Sequence, residues 1–242
     1  MSDYLNSQRD TVLDFTGEST SLRKFFTQVF TYMTVGLAIS GLVAWFFATS
    51  GLISVLFNQT GGLSLFGYIV VFSPVLFTMF FGRAIQKLST PALSAVFIGY
   101  SIVLGMSISF IFLAYTTTSI FQVFLMTAIT FAAFAVLGFT TKTDLTKLGM
   151  ILGIGFFVMV IISILNFLIF KSEMASLVMS YIGVILTIGL IAYHVQQLKR
   201  IGSGAEYGNM ETTKLALIGA FTMYISFINL FMFLLRIFGR RE

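Results

Sequence analysis

The sequence predicts an all-α integral membrane protein, a seven-transmembrane-helix bundle with the last helix central. Three observations lead to the bundle, and a polar stripe on the last run places that helix inside. Hydrophobic residues make up 57% of the 242 positions and charged residues only 10%, against about 25% charged in an ordinary soluble chain. Mean hydropathy is +0.98. The apolar residues also gather into seven charge-poor runs of about 20 residues, the helix length that crosses a ~30 Å hydrocarbon core. Fourteen Lys and Arg with nine Asp and Glu cannot coat this much apolar chain, so lipid must solvate most of it. The alternating ten-residue segments of a β-barrel are absent, and isolated spans satisfy their backbone internally only as helices.

Residues 1–20 read as a polar cytoplasmic tail, with Asp3, Asp10, Asp14 and Glu18 against Arg9. A signal peptide needs a basic start and an apolar run, and myristoylation needs Gly at position 2, where Ser2 stands. The transmembrane domain is residues 21–242. Its spans are expected at about Phe25–Ala48, Leu63–Phe81, Thr90–Ala114, Thr118–Thr140, Lys147–Phe170, Ala175–Val195 and Lys214–Phe238. Small residues at four-residue spacing mark packing edges: Gly36, Ser40, Ala44 and Ala48 in the first span; Ser101, Gly105 and Ser109 in the third; Gly149 and Gly153 in the fifth. No internal repeat supports an inverted-repeat transporter.

Basic residues set the orientation. Arg9, Arg23, Lys24, Arg83, Lys87, Lys142, Lys147, Lys199, Arg200 and Lys214 flank the amino terminus and the even connections, and the odd connections hold only Lys171. The amino terminus and even loops are therefore expected in the cytoplasm. Arg236, Arg240 and Arg241 then lie outside if the seventh run crosses fully, which is the simpler geometry for 25 residues.

That last run carries Thr222, Ser226, Asn229 and Arg236, which fall within about 80° of one another at 100° per residue, with Phe233 on the same stripe. Polar groups facing lipid are costly, so the stripe is expected to face the interior or a wet cavity. The bland reading is that Ser and Thr bond their own helix carbonyls while Arg236 snorkels. His194, near the cytoplasmic end of the sixth run, is the sole His and the side chain with an ordinary titration range near neutral pH. With no Cys and a single His, disulfides, thiolate zinc and multi-histidine sites are excluded. No metal site, cofactor or nucleic-acid partner is expected.

From Tyr224 to Gly239 the chain reads Tyr-Ile-Ser-Phe-Ile-Asn-Leu-Phe-Met-Phe-Leu-Leu-Arg-Ile-Phe-Gly. This resembles the terminal helix of the transmembrane Bax inhibitor motif family. Thr141 to Gly149 (Thr-Lys-Thr-Asp-Leu-Thr-Lys-Leu-Gly) resembles the family's turn between its fourth and fifth helices, and Ile191-Ala192-Tyr193-His194 with Gln196-Gln197 resembles the end of its sixth. The resemblance covers about Ser21 to Gly239. It implies seven helices with the last enclosed by the others, pH-sensitive calcium leak, protection from cell death, and in bacteria inhibition of a membrane-bound ATP-dependent protease. It also implies a carboxylate pair as pH sensor, latched by an arginine that Arg83 matches. Both sensor positions depart from that pattern: His194 and Ser226 stand where Asp is expected.

The expected function is therefore an ion leak, calcium or another ion, with an altered sensor; a non-conducting regulator of a membrane protease is the alternative. The sensor and pore candidates are His194, Ser226, Asn229, Arg236, Thr222 and Arg83. Catalysis is not expected. Ser226 sits in Ile-Ser-Phe rather than a Gly-x-Ser-Gly setting, an aspartyl mechanism lacks its two buried Asp residues, and Lys214 lies too near the end of its run to carry retinal. A compact chain with short loops fits a bacterial plasma membrane, with an internal eukaryotic membrane as the alternative.

Overall fold

A computed structural model describes the backbone of residues 2–58, 61–84, 88–204 and 210–241, and the side chains of residues 20–58, 61–78, 88–204 and 212–241. The elements are α1 (Ser2–Thr49), α2 (Leu65–Ala84), α3 (Thr90–Ile108), α4 (Ile111–Ala114), α5 (Thr117–Thr140), α6 (Thr146–Leu165), α7 (Glu173–Ser203) and α8 (Met210–Phe238). A 3₁₀ turn covers Leu52–Leu56 and a π turn Asn166–Phe170. Among the described residues there is no strand, only the isolated bridges Phe57–Leu63 and Tyr115–Arg241. Six stretches are long and apolar enough to cross a membrane: Thr20–Thr49, Thr90–Ala114, Thr117–Thr140, Thr146–Phe170, Glu173–Ser203 and Thr212–Phe238. Leu65–Thr78 adds a shorter apolar helix, which makes the set consistent with seven.

Local chemistry explains the breaks. The third apolar run is not one helix: at Ser109 the hydroxyl donates to the Met106 carbonyl at 2.7 Å and competes with the helical ladder, and α3 gives way to α4. Thr116 caps α5 by accepting from the Ser119 amide at 3.3 Å, and Ser172 caps α7 by accepting from the Ala175 amide at 3.2 Å. Pro74 lies inside α2 and cannot donate to the Val70 carbonyl four residues back. The Ser73 hydroxyl donates to that carbonyl instead, at 2.9 Å. α7 runs on through Gln196, Lys199 and Arg200 to Ser203, so these residues, which flank the sixth run in sequence, lie on helix rather than in a loop.

α8 is the interior helix. In its most apolar stretch 67% of residues are buried, against 11% to 39% in the other five long helices. It packs on α1, α3, α5 and α7, and α2 reaches it through Phe77, whose ring stacks on Phe221 at 5.5 Å. The small-residue edges of the first and third spans meet each other. A Cβ on Gly105 would come within 2.7 Å of the Ser40 carbonyl oxygen, and one on Gly36 within 2.6 Å of the Phe97 ring. Gly138 lets α5 approach the backbone of α7 at Ala192 in the same way. These contacts serve close packing in lipid, where apolar exclusion no longer drives helices together.

α8 passes straight through the bundle. Beyond it the Arg240 amide donates to the Ser119 hydroxyl at 2.9 Å, the Arg240 carbonyl accepts from the Thr116 amide at 3.2 Å, and Arg241 pairs with Glu173 at 3.3 Å. Tyr115, Thr116 and Glu173 belong to odd connections. The carboxyl terminus is thus at the end of the bundle opposite the Thr141–Leu145 turn. Glu173 also raises the Arg241 pKa above its ordinary value, first by accepting its hydrogen bond and then through its charge.

Candidate functional site at the contact of α7 and α8

The two helices carrying all the sequence-derived candidates but Arg83 pack along their length, with Gly183 of α7 admitting the Phe233 ring and Gly219 of α8 admitting Leu198. This register places His194 opposite Ser226. The His194 Nδ1 to Ser226 Oγ distance is 3.4 Å, and which atom donates depends on the imidazole tautomer. Ser226 is 6% exposed, and its hydroxyl also donates to the Thr222 carbonyl at 2.9 Å. The shorter bond engages the hydroxyl proton within α8, leaving Oγ to accept from an imidazole N–H. As a nucleophile–base pair this arrangement runs the wrong way round.

The other candidates separate. Thr222 bonds its own helix, donating to the Ile218 carbonyl at 3.1 Å. Asn229 is partly buried and borders a lateral cavity of about 680 Å³ between α2, α3, α6 and α8. Thr78, Tyr100 and Ser107 add polar atoms to that cavity, beside Pro74 and Phe156. Arg236 is exposed at the end of α8. The stripe is therefore not one continuous seam: Ser226 meets α7, Asn229 meets the cavity, and Arg236 leaves the bundle. The Arg83 side chain lies outside the described residues.

Among the described residues, no carboxylate pairs with His194, and no group of three His, Cys, Asp or Glu side chains could hold a metal ion. The contact supplies a hydroxyl, an imidazole and a proton between them. It does not supply the oxygen-rich, anionic ligand set that a hard divalent cation takes.

Further along, α7 clamps the turn before α6. The Gln196 side chain, 6% exposed, accepts from the Leu145 amide and donates to the Thr143 carbonyl, both at 2.8 Å. Arg200 donates to Asp144 at 2.8 Å and to the Thr146 hydroxyl at 3.1 Å. Asp144 in turn accepts from the Thr146 hydroxyl at 2.6 Å and amide at 2.9 Å. Those Thr146 bonds first, and Arg200 after them, pull its pKa down to about 2. The candidate set derived from sequence omitted this clamp. An Asp two residues ahead of a helix-opening Thr does signal a cap, but its tie to Arg200, 56 positions away, has no local signature.

A second buried polar group escaped the sequence reading. Tyr224 is 0% exposed, and its hydroxyl lies beside those of Ser40 and Ser101 without a well-formed hydrogen bond. The two serines donate instead to the Gly36 and Phe97 carbonyls, at 3.0 and 2.9 Å.

Residues 22–242 match the family model described as Inhibitor of apoptosis-promoting Bax1. The inner membrane protein YbhL of Escherichia coli K12 is 38% identical over 222 residues, covering 91% of this chain and 93% of that protein. An uncharacterised protein of Rickettsia prowazekii is 34% identical over 222 residues, 91% of each. One of Borreliella burgdorferi is 34% identical over 239 residues, 96% of this chain and 99% of its own length. With a bundle of membrane-length helices around its terminal one and a family match running nearly end to end, the chain belongs to the Bax inhibitor-type family of multi-pass membrane proteins.

Proposed function

We propose that the protein is an ion leak pathway of a bacterial inner membrane, its amino terminus cytoplasmic, governed by the His194–Ser226 contact between α7 and α8. The observation that carries this is the 3.4 Å approach of the two side chains at the positions where the family resemblance implies a carboxylate pair. A carboxylate pair holds one shared proton and attracts a divalent cation. A hydroxyl and an imidazole keep the proton-dependent element and lose the cation site, because protonation adds positive charge. Protonated His194 is a cation between two packed helices and must draw in water or separate them. The cavity at Asn229, one helical turn from Ser226 along α8, is the space such an opening would join. The leak is accordingly proton-dependent, with calcium the disfavoured cargo.

Proteoliposomes of the full chain, loaded with an ion-sensitive dye and stepped from pH 8 to pH 4, test the reading. The leak rises as pH falls, and His194→Ala makes it independent of pH. A leak that His194→Ala leaves unchanged contradicts the proposal, as does no leak at any pH. A second reading, restraint of a membrane-bound protease, is favoured by the continuation of α1 beyond the apolar stretch back to Ser2. Deleting residues 2–20 tells the two apart: loss of a partner with flux intact supports the regulator, and loss of flux supports the pathway.

A further inference from the structure

A wide lateral opening lies between α1 and α5, beside the α7–α8 contact. There the two helices flank a lateral groove of about 860 Å³ that continues into a second volume of about 780 Å³. Small residues hold it open: Ala38 and Gly41 on α1, Ala128 and Ala132 on α5. The floor is Val195 of α7 and Phe227 of α8. Of the polar lining residues, Thr27 and Thr34 donate their hydroxyls to their own helix, at the Arg23 and Phe30 carbonyls, so the groove offers hydrocarbon almost throughout. Only one end differs. Arg23 lines it, and the Lys199 ammonium stands 4.7 Å over the ring of Phe139, a residue common to both volumes. Among the described residues, no carboxylate lines the groove. From Arg23 to Gly41 the groove follows eighteen residues of helix, about 27 Å, enough for a whole acyl chain to lie along it.

An apolar slot with two cations at its mouth matches one molecular shape. We infer that this groove seats an anionic phospholipid, with one acyl chain against Phe227 and Val195 and the phosphate between Arg23 and Lys199. Juxtamembrane cations attract anionic headgroups in this way, and long cationic side chains reach the headgroup level from the end of a helix. Val195 and Phe227 each adjoin a member of the His194–Ser226 pair in sequence, so the bound chain packs beside that contact. The inference does not depend on ion leak and stands without it.

Native mass spectrometry of the delipidated full chain, titrated with phosphatidylglycerol or with phosphatidylcholine of the same acyl chains, tests it. One phosphatidylglycerol binds per chain with about tenfold or greater preference, the effect expected of two interfacial cations. Arg23→Gln, at an exposed position, removes most of that preference while phosphatidylcholine binding stays the same. Ala38→Phe with Ala132→Phe, both lipid-facing, fills the groove and abolishes retention of either lipid. Equal retention of the two lipids by the unaltered protein overturns the inference. So does undiminished phosphatidylglycerol binding in a filled-groove variant whose melting matches the parent, preferential capture of a free fatty acid, or a lipid-free dimer with the groove at its interface.

Discussion

Gln196 shows how much one side chain at the end of α7 controls. It holds one backbone donor and one backbone acceptor of the turn before α6, groups that would otherwise lack partners in a partly buried place. Leaving a buried polar group unpaired costs about 1–3 kcal/mol. Gln196→Ala should therefore lower the melting temperature in detergent by several degrees, and Gln196→Glu should lower it too, since a carboxylate cannot donate to the Thr143 carbonyl. Unchanged melting in both variants would mean that the clamp is not formed. The neighbouring Asp144 bears on pH. Its folded-state pKa is lowered to about 2 from an ordinary 3.8, so its contribution is complete above the unfolded value and is lost as pH falls from there through about 2. Between pH 8 and pH 5 the Asp144–Arg200 tie is constant. Asp144→Asn should accordingly leave the shape of any flux–pH curve in that range unaltered, and a shifted midpoint would show that the clamp takes part in sensing.

At the level of elements, the tight crossing of α1 and α3 makes a prediction with an internal control. Gly105 has the Ser40 carbonyl and Val43 where its Cβ would sit, whereas Gly153 has nothing within 4 Å. Overpacking of this kind costs about 1–3 kcal/mol. Gly105→Val should depress melting and yield, and Gly153→Val should not; equal effects would contradict the crossing. Both glycines stand in stripes visible in the sequence, yet spacing alone does not separate the packed one from the open one. The broader elements were legible because a helix in lipid needs only length and apolarity. Finer features depended on partners. The break at Ser109 needed its hydroxyl's choice of the Met106 carbonyl, and the extension of α7 needed the turn that Gln196 and Arg200 hold. The separation of Ser226 from Asn229 also had to await the neighbours: a stripe within 80° faces one side of a helix, but α7 and the cavity divide that side between them.

For the molecule as a whole, the threading of α8 fixes which ends lie together. Tyr115, Lys171 and Arg241 share one end, while Lys142 and Gly204 lie at the other. The basic-residue count could not decide this, because three arginines at the carboxyl terminus weigh against a crossing. The Ser119–Arg240 and Glu173–Arg241 contacts do decide the relative placement. The protein has no Cys, so single cysteines are clean reporters. In oriented vesicles, cysteines at Lys171 and Arg241 should react with an impermeant thiol reagent from the same side, and a cysteine at Lys142 from the opposite side. Labelling of Lys142 and Arg241 positions from one side would rule out a crossing. The family match covers residues 22–242; at the proposed sensor the chain brings together an imidazole and a hydroxyl, a pair without an anionic cation site. Calcium flux in proteoliposomes containing His194→Asp/Ser226→Asp, beside the parent, tests that claim most directly. A several-fold gain in calcium leak is predicted, as the restored pair recovers an anionic site on an intact scaffold. A well-folded double variant that leaks no more calcium than the parent would contradict it.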